Sequence, residues 1–157
     1  MVWLESPHII QNNGVYKEMA LQSVIQQIFC LMNKDWSKYN NDERNNMSKN
    51  LDELSVLLMS EIDRAISIES LESAIKFENE HYFLPIPCVI KLYQKLILLN
   101  HTNKPYYEGL VDYLLLYGPD WEEEANKITN LIEKERFETA RDYVQSISYY
   151  KEFNNCR

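Results

Sequence analysis

Apolar residues recur at three- and four-residue steps along most of this chain, the spacing of a helix with one buried face. The opening segment is mixed and ends in "QNNG", a turn signal. An N-terminal arm, residues 1–14, is expected there, packing Trp3, Leu4, Ile9 and Ile10 on the body. After Gly14, Leu21, Val24, Ile25, Ile28 and Met32 share one face. The stretch "NKDWSKYNND" (33–42) breaks that pattern with loop-favouring Asn, Asp and Ser.

A second stripe follows in Met47, Leu51, Leu54, Leu58, Ile62 and Ala65, with Lys49, Asp52, Glu53 and Asp63 largely off it. Ser67 is placed to cap a third, shorter helix through Ile68, Leu71 and Ile75. Pro85 and Pro87 in "HYFLPIP" stop that helix, and Pro87 suits the first turn of a fourth through Val89, Leu92, Tyr93, Leu96 and Leu99.

Pro105 opens a fifth helix. Tyr107, Leu110, Val111 and Leu114 form one of its stripes, and Tyr106, Tyr113 and Tyr117 a neighbouring one. A helix apolar over so much of its circumference is expected to pack on more than one side. One or two helices end the pattern: one after Pro119, and one near Phe137, Ala140, Val144 and Ile147, separate or joined as a single bent helix. In "LLLYGPDWEEEANKI" (114–128), Gly118 in a left-handed conformation ends one helix and Pro119 starts the next. Trp121 then shares a face with Ala125, Ile128 and Ile132, while Glu122 and Glu123 project outward.

The expected fold is therefore all-α, a single-domain irregular bundle of about six or seven helices joined by short turns. Its helical domain spans residues 15–153, followed by a short tail, 154–157. A helical-hairpin array is the alternative. Against a tetratricopeptide pattern, however, the Pro105 and Pro119 helices leave most diagnostic positions unmatched.

Composition supports that class. With 157 residues, 45% of them hydrophobic, the chain has enough apolar side chains for one core, and its 3 glycines and 5 prolines supply little hairpin chemistry. Abundant Asn, Ile, Lys and Tyr, as AT-rich coding favours, point to a low-GC bacterium or its phage. Cys30, Cys88 and Cys156 are odd in number and lack metal-ligand spacing, so Cys30 and Cys88 read as small core residues in a reducing compartment. "MVWLESPHII" has no basic leader, and the most apolar run, "VIKLYQKLILL", is interrupted by Lys91 and Lys95 and is too short to span a bilayer. A cytoplasmic protein with no membrane partner is expected.

The net charge of −8 argues against a nucleic-acid-binding surface. The charge is uneven. Residues 42–80 carry ten acids against four bases and residues 104–157 eleven against seven, whereas the first forty-one balance at three against three.

Catalytic patterns are weak. Glu78 and His81 make one Glu-x-x-His pair, but a di-iron bundle needs two. Glu69 and Glu72 are spaced as in all-helical nucleotide pyrophosphohydrolases, yet no second acidic pair follows at a suitable distance. Glu135, Glu138 and Asp142 share a face with basic neighbours, the mark of solvated ion pairs. His8, His81 and His101 are scattered, no serine sits in a nucleophile elbow, and glycines only at 14, 109 and 118 exclude a phosphate loop. No enzyme activity, catalytic residue, metal or cofactor is expected.

The remaining feature is aromatic and acidic surface. Among 11 tyrosines, Tyr93 and Tyr113 are assigned to the core, while Trp36 and Tyr39, in the polar 33–42 loop, are claimed by no helical stripe. The expected function is a non-enzymatic protein–protein interaction module. The best fit is an immunity-type protein, or a phage inhibitor, that neutralises a basic toxin or nuclease by stoichiometric binding. The candidate contact residues are Trp36, Tyr39, Asp52, Glu53, Tyr106, Glu122 and Glu123. A peptide-binding helical adaptor is the second reading and a carboxylate metal-dependent hydrolase the third. A homodimer through the aromatic C-terminal helix is left open.

Overall fold

The computed structural model describes the backbone of residues 13–147 and the side chains of residues 20–147. Among the described residues there are seven α-helices and no strand, so the chain is all-α. In order these are α1 (Asn13–Met32), α2 (Asn41–Arg64), α3 (Ile68–His81), α4 (Ile86–Leu99), α5 (Lys104–Leu116), α6 (Glu122–Glu133) and α7 (Phe137–Ser146), with 3-10 turns at Trp36–Lys38 and Pro119–Trp121. The expected packing of Trp3, Leu4, Ile9 and Ile10 lies outside the described residues, as do His8, Tyr149, Tyr150, Cys156 and the tail 154–157. The helices divide into two compact units, Met1–Cys88 and Val89–Arg157, with the division inside α4.

In the first unit α1 packs against α2 and α3. Leu21, Val24, Ile25 and Ile28 are buried as their spacing requires, but the face closes with Leu31, and Met32 stays 42% exposed. Periodicity marks a face; it does not say how far along the helix a neighbour covers it. Helix α2 opens with a capping box: the Glu43 amide donates to the Asn40 side chain at 2.8 Å, and the Asn40 amide donates to Glu43 Oε1 at 2.9 Å. Met47, Leu58, Ile62 and Ala65 are buried along its core face. Ser67 caps α3 by accepting from the Ser70 amide at 3.2 Å.

At the end of α3, Glu78 and His81 meet different surroundings. Tyr82 turns the chain in the left-handed region, at φ +50°. The amides of Phe83 and Leu84, which leave the helix without helical partners, donate to Glu78 Oε1 at 2.9 and 2.8 Å. His81 instead lies against the rings of Phe29 and Phe77, at centroid distances of 4.8 and 4.5 Å. Cys88 is buried as expected, whereas Cys30 is exposed, contrary to its reading as a core residue. It lies off the Leu21–Leu31 face, and its small size says nothing about side.

In the second unit α5 packs on α6, and α6 on α7. Gln94, buried on α4, donates its amide to the carbonyls of Val144 and Ile147 at the end of α7, at 2.9 and 3.2 Å. Tyr107 is fully buried on α5, and its hydroxyl donates to the His101 carbonyl at 2.6 Å. Burial pushes its pKa up to about 12. Tyr93 and Tyr113 are buried, as assigned.

Around residue 118 the sequence-based account needs two changes. Gly118 has φ +93° and ψ −158°, a conformation open to glycine alone rather than the left-handed helical one. Pro119 begins a 3-10 turn, and α6 starts only at Glu122. Trp121, Ala125, Ile128 and Ile132 do form one buried face. Helices α6 and α7 are separate, divided at Glu135, whose φ is +56°.

Candidate functional site

Side chains of α1 next to its buried face fall at positions 23, 26, 27 and 30, continued by Lys34 just past its end, and those of α2 at 50, 53, 54 and 57. Both sets follow helical steps, so they line the two walls of one open groove of about 660 Å³ between the antiparallel helices. Leu31, Leu54 and Leu57 supply apolar surface, Gln26, Gln27 and Asn50 supply uncharged amides, and Lys34 and Glu53 supply one charge of each sign. Exposed Asp52 lies beside Glu53 on α2. The unit is acidic outside: of the ten acids in residues 42–80, all but Glu61 and Glu78 are exposed. Buried Glu61 accepts from Arg64 Nη2 at 2.8 and 2.9 Å.

The turn that closes α1 against α2 is held by its own polar groups. Asp35 caps the 3-10 turn by accepting from the Ser37 amide at 3.1 Å. The Trp36 indole N–H donates to the Leu31 carbonyl at 3.0 Å, satisfying one of the last acceptors of α1. Arg44 Nε donates to the Tyr39 carbonyl at 2.9 Å. Trp36 and Tyr39 are both half-buried. Each leaves part of its ring to solvent, on a turn whose geometry is already set.

Trp36, Tyr39, Asp52 and Glu53 thus belong to the first unit, with Glu53 in the groove wall. Glu122 and Glu123 belong to the second unit, exposed in the first turn of α6. Tyr106 is only 8% exposed on the packed side of α5, so it offers a partner almost no area. The two rings of Tyr106 and Tyr107 are both buried, because α5 turns a wide apolar face inward at that level.

The carboxylates singled out in the sequence are not gathered. Among the described residues no group of three or more His, Cys, Asp or Glu side chains is placed to hold a metal ion. Glu135 sits between α6 and α7, off the helix that carries Glu138 and Asp142, and Asp142 accepts from Arg141 Nε at 3.1 Å. Burial raises the Glu78 pKa above the usual glutamate value of 4.5, against the lowering effect of its two backbone donors. Tyr143 on α7 is raised mainly by burial and further by Glu124 and Glu123.

The sequence reading missed the groove and several exposed apolar residues, Val56 at 70%, Ile66 at 66% and Leu116 at 62% among them. A signal existed for Val56 and Leu116, since both fall off the apolar stripes of their helices. No family model, no curated protein and no solved structure matches the chain. No helix among the described residues is long and apolar enough to cross a membrane.

Proposed function

We propose that this chain is a non-enzymatic cytoplasmic interaction module that binds a basic protein stoichiometrically. Neutralisation of a toxin or nuclease, as by a bacterial immunity protein or a phage inhibitor, is the function that fits it. The carrying observation is the α1–α2 groove, where Leu31, Leu54 and Leu57 share the lining with the carboxylate of Glu53, and exposed Asp52 precedes it on α2. An apolar side chain of the partner enters the groove, a neighbouring Lys or Arg meets the acids, and Trp36 and Tyr39 contribute rigid aromatic edge. The excess of exposed acid over base in this unit favours fast, steered association with a basic surface.

The test is titration of a purified basic partner, identified by co-purification in the native host, with its activity as readout. Loss of activity should end at one chain per partner. Association should slow by about tenfold or more from low to high salt, and Asp52→Lys with Glu53→Lys should abolish the steering. A complex indifferent to salt and to both reversals, but lost with Leu54→Asp, indicates instead a peptide-binding adaptor. The amides of Gln26, Gln27 and Asn50 along the groove favour that second reading. Turnover dependent on Mg²⁺ or Mn²⁺ would overturn both in favour of a hydrolase.

A further inference from the structure

The last turn of α5 and the residue that caps it carry Leu115, Leu116 and Tyr117, which are 49%, 62% and 38% exposed. Three consecutive large apolar side chains are left to water there, where Gly118 redirects the chain, while Tyr107, Leu110 and Leu114 of α5 are buried and α5 packs on α6. Tyr117 is held in place, since its ring meets that of buried Tyr113 at a centroid distance of 5.0 Å. The patch is therefore partly rigid, which lowers the entropy lost when a partner covers it.

The stretch of chain that carries it is acidic. Between residues 105 and 126 there are six acids, Glu108, Asp112, Asp120, Glu122, Glu123 and Glu124, and no Lys or Arg. Asp112 precedes Leu115 and Leu116 by three and four positions, so it stands next to them on the helix. Glu108, Asp112, Glu122 and Glu123 are all exposed. A second copy of this chain set on the patch would bring like charges together, and a nucleic acid or an anionic membrane would meet the same repulsion. A basic segment with apolar anchors is the chemistry that satisfies both the leucines and the acids.

We propose that the end of α5, with Asp112, Leu115, Leu116 and Tyr117, and the first turn of α6 form a second docking surface. Its occupant is a Lys/Arg-rich amphipathic segment of a partner protein. Leucine-type side chains cover Leu115 and Leu116, an Arg stacks on the exposed face of Tyr117, and other basic groups meet Asp112, Glu122 and Glu123. This surface shares no residue with the α1–α2 groove and stands or falls without it.

The probe is a fluorescent synthetic helix with leucines on one face and lysines on the other, alongside a version with glutamate in place of every lysine. Anisotropy with the full chain should show saturable binding of the basic helix and none of the acidic one. Leu115→Ser with Leu116→Ser should weaken binding about tenfold, and Asp112→Lys with Glu122→Lys should do the same while steepening neither variant's thermal unfolding. All four positions are exposed, and circular dichroism checks that the fold is kept. Asp52→Lys with Glu53→Lys, at and beside the groove wall on α2, should leave this binding unchanged. The proposal is overturned if the α5–α6 variants bind like wild type, if binding is lost only in the groove variants, or if sedimentation shows that a second copy already covers Leu115 and Leu116.

Discussion

The ring of Tyr93 lies so close to the backbone of Gly109 that a Cβ built there would meet Tyr93 Cε1 at 2.9 Å and its hydroxyl oxygen at 3.1 Å. Tyr93 is 4% exposed, so the ring has little room to move aside. In an open helix Gly→Ala gains ~1 kcal/mol from propensity. Overpacking a filled site costs ~1–3 kcal/mol. For Gly109→Ala the crowding should win, giving a net loss of ~1 kcal/mol and a lower urea midpoint. Adding Tyr93→Leu should restore part of that loss in a double-mutant cycle. A Gly109→Ala protein more stable than wild type would mean that the two helices do not approach so closely.

Glu78 sets a pH dependence whose sign follows from its burial. Its folded pKa is raised, so between the unfolded glutamate value of 4.5 and that raised value the native state holds a proton that the unfolded chain has lost. The stabilisation linked to this proton is fully present below the unfolded pKa and disappears as pH rises through the folded one. Glu78→Gln keeps an oxygen acceptor for Phe83 and Leu84 and removes the charge. The variant should therefore gain on wild type as pH rises through that window and hold a constant difference above it. Glu78→Ala, which leaves both amides unsatisfied, should lose ~2–4 kcal/mol relative to wild type below the window, and less above it. Urea unfolding of the three proteins at several pH values checks both statements.

Glu135 adopts φ +56° at an exposed position between α6 and α7, where a residue with a Cβ is strained. Glu135→Gly relieves that strain but adds freedom to the unfolded chain, so a net gain of ~0.5 kcal/mol is expected. The same protein bears on the hydrolase alternative, which requires that any metal-dependent turnover be lost with this carboxylate. A lower melting temperature would count against the left-handed geometry.

Gln94 ties α4 to the end of α7 through donors that only an amide supplies there. The Gln145 amide also donates to the Gln94 carbonyl, at 2.8 Å. Gln94→Leu should lose ~1–3 kcal/mol, because it removes the side-chain donor from both carbonyls and leaves Val144 only the Ile147 amide. Gln94→Glu should lose ~3–5 kcal/mol at neutral pH, since it sets a buried charge against two carbonyl oxygens, and should recover in acid as the carboxyl becomes a donor. Equal losses for the two variants at neutral pH would show that the amide does not face those carbonyls.

These features were unequally legible in the sequence. Ser67, Pro87 and Trp121 act within a few residues of themselves, through a hydrogen bond to a nearby amide, a restricted φ, or membership of one helical face. Spacing displays such effects directly, and all three behave as read. Cys30 was misread, and the burial of Tyr106 and the backbone bonds of Glu78 went unread, for a common reason. Whether a thiol faces out, whether a second tyrosine is covered, and whether a carboxylate serves two loop amides depend on where another segment lies. The exposed acids Asp52, Glu53, Glu122 and Glu123 were legible because charge rarely leaves water unless it is paired.

By itself, then, the sequence determined the helical class, most helix ends and the acidic character of the surface. These follow from local sterics, hydrogen bonding and hydration, which act residue by residue. Only the tertiary structure decided that Leu31, Leu54 and Leu57 line a groove, that Leu115 and Leu116 face water, and that Tyr93 presses on Gly109. Each depends on how far one helix covers another, and many weak contacts between residues distant in the chain set that extent together. No short stretch of sequence contains their sum.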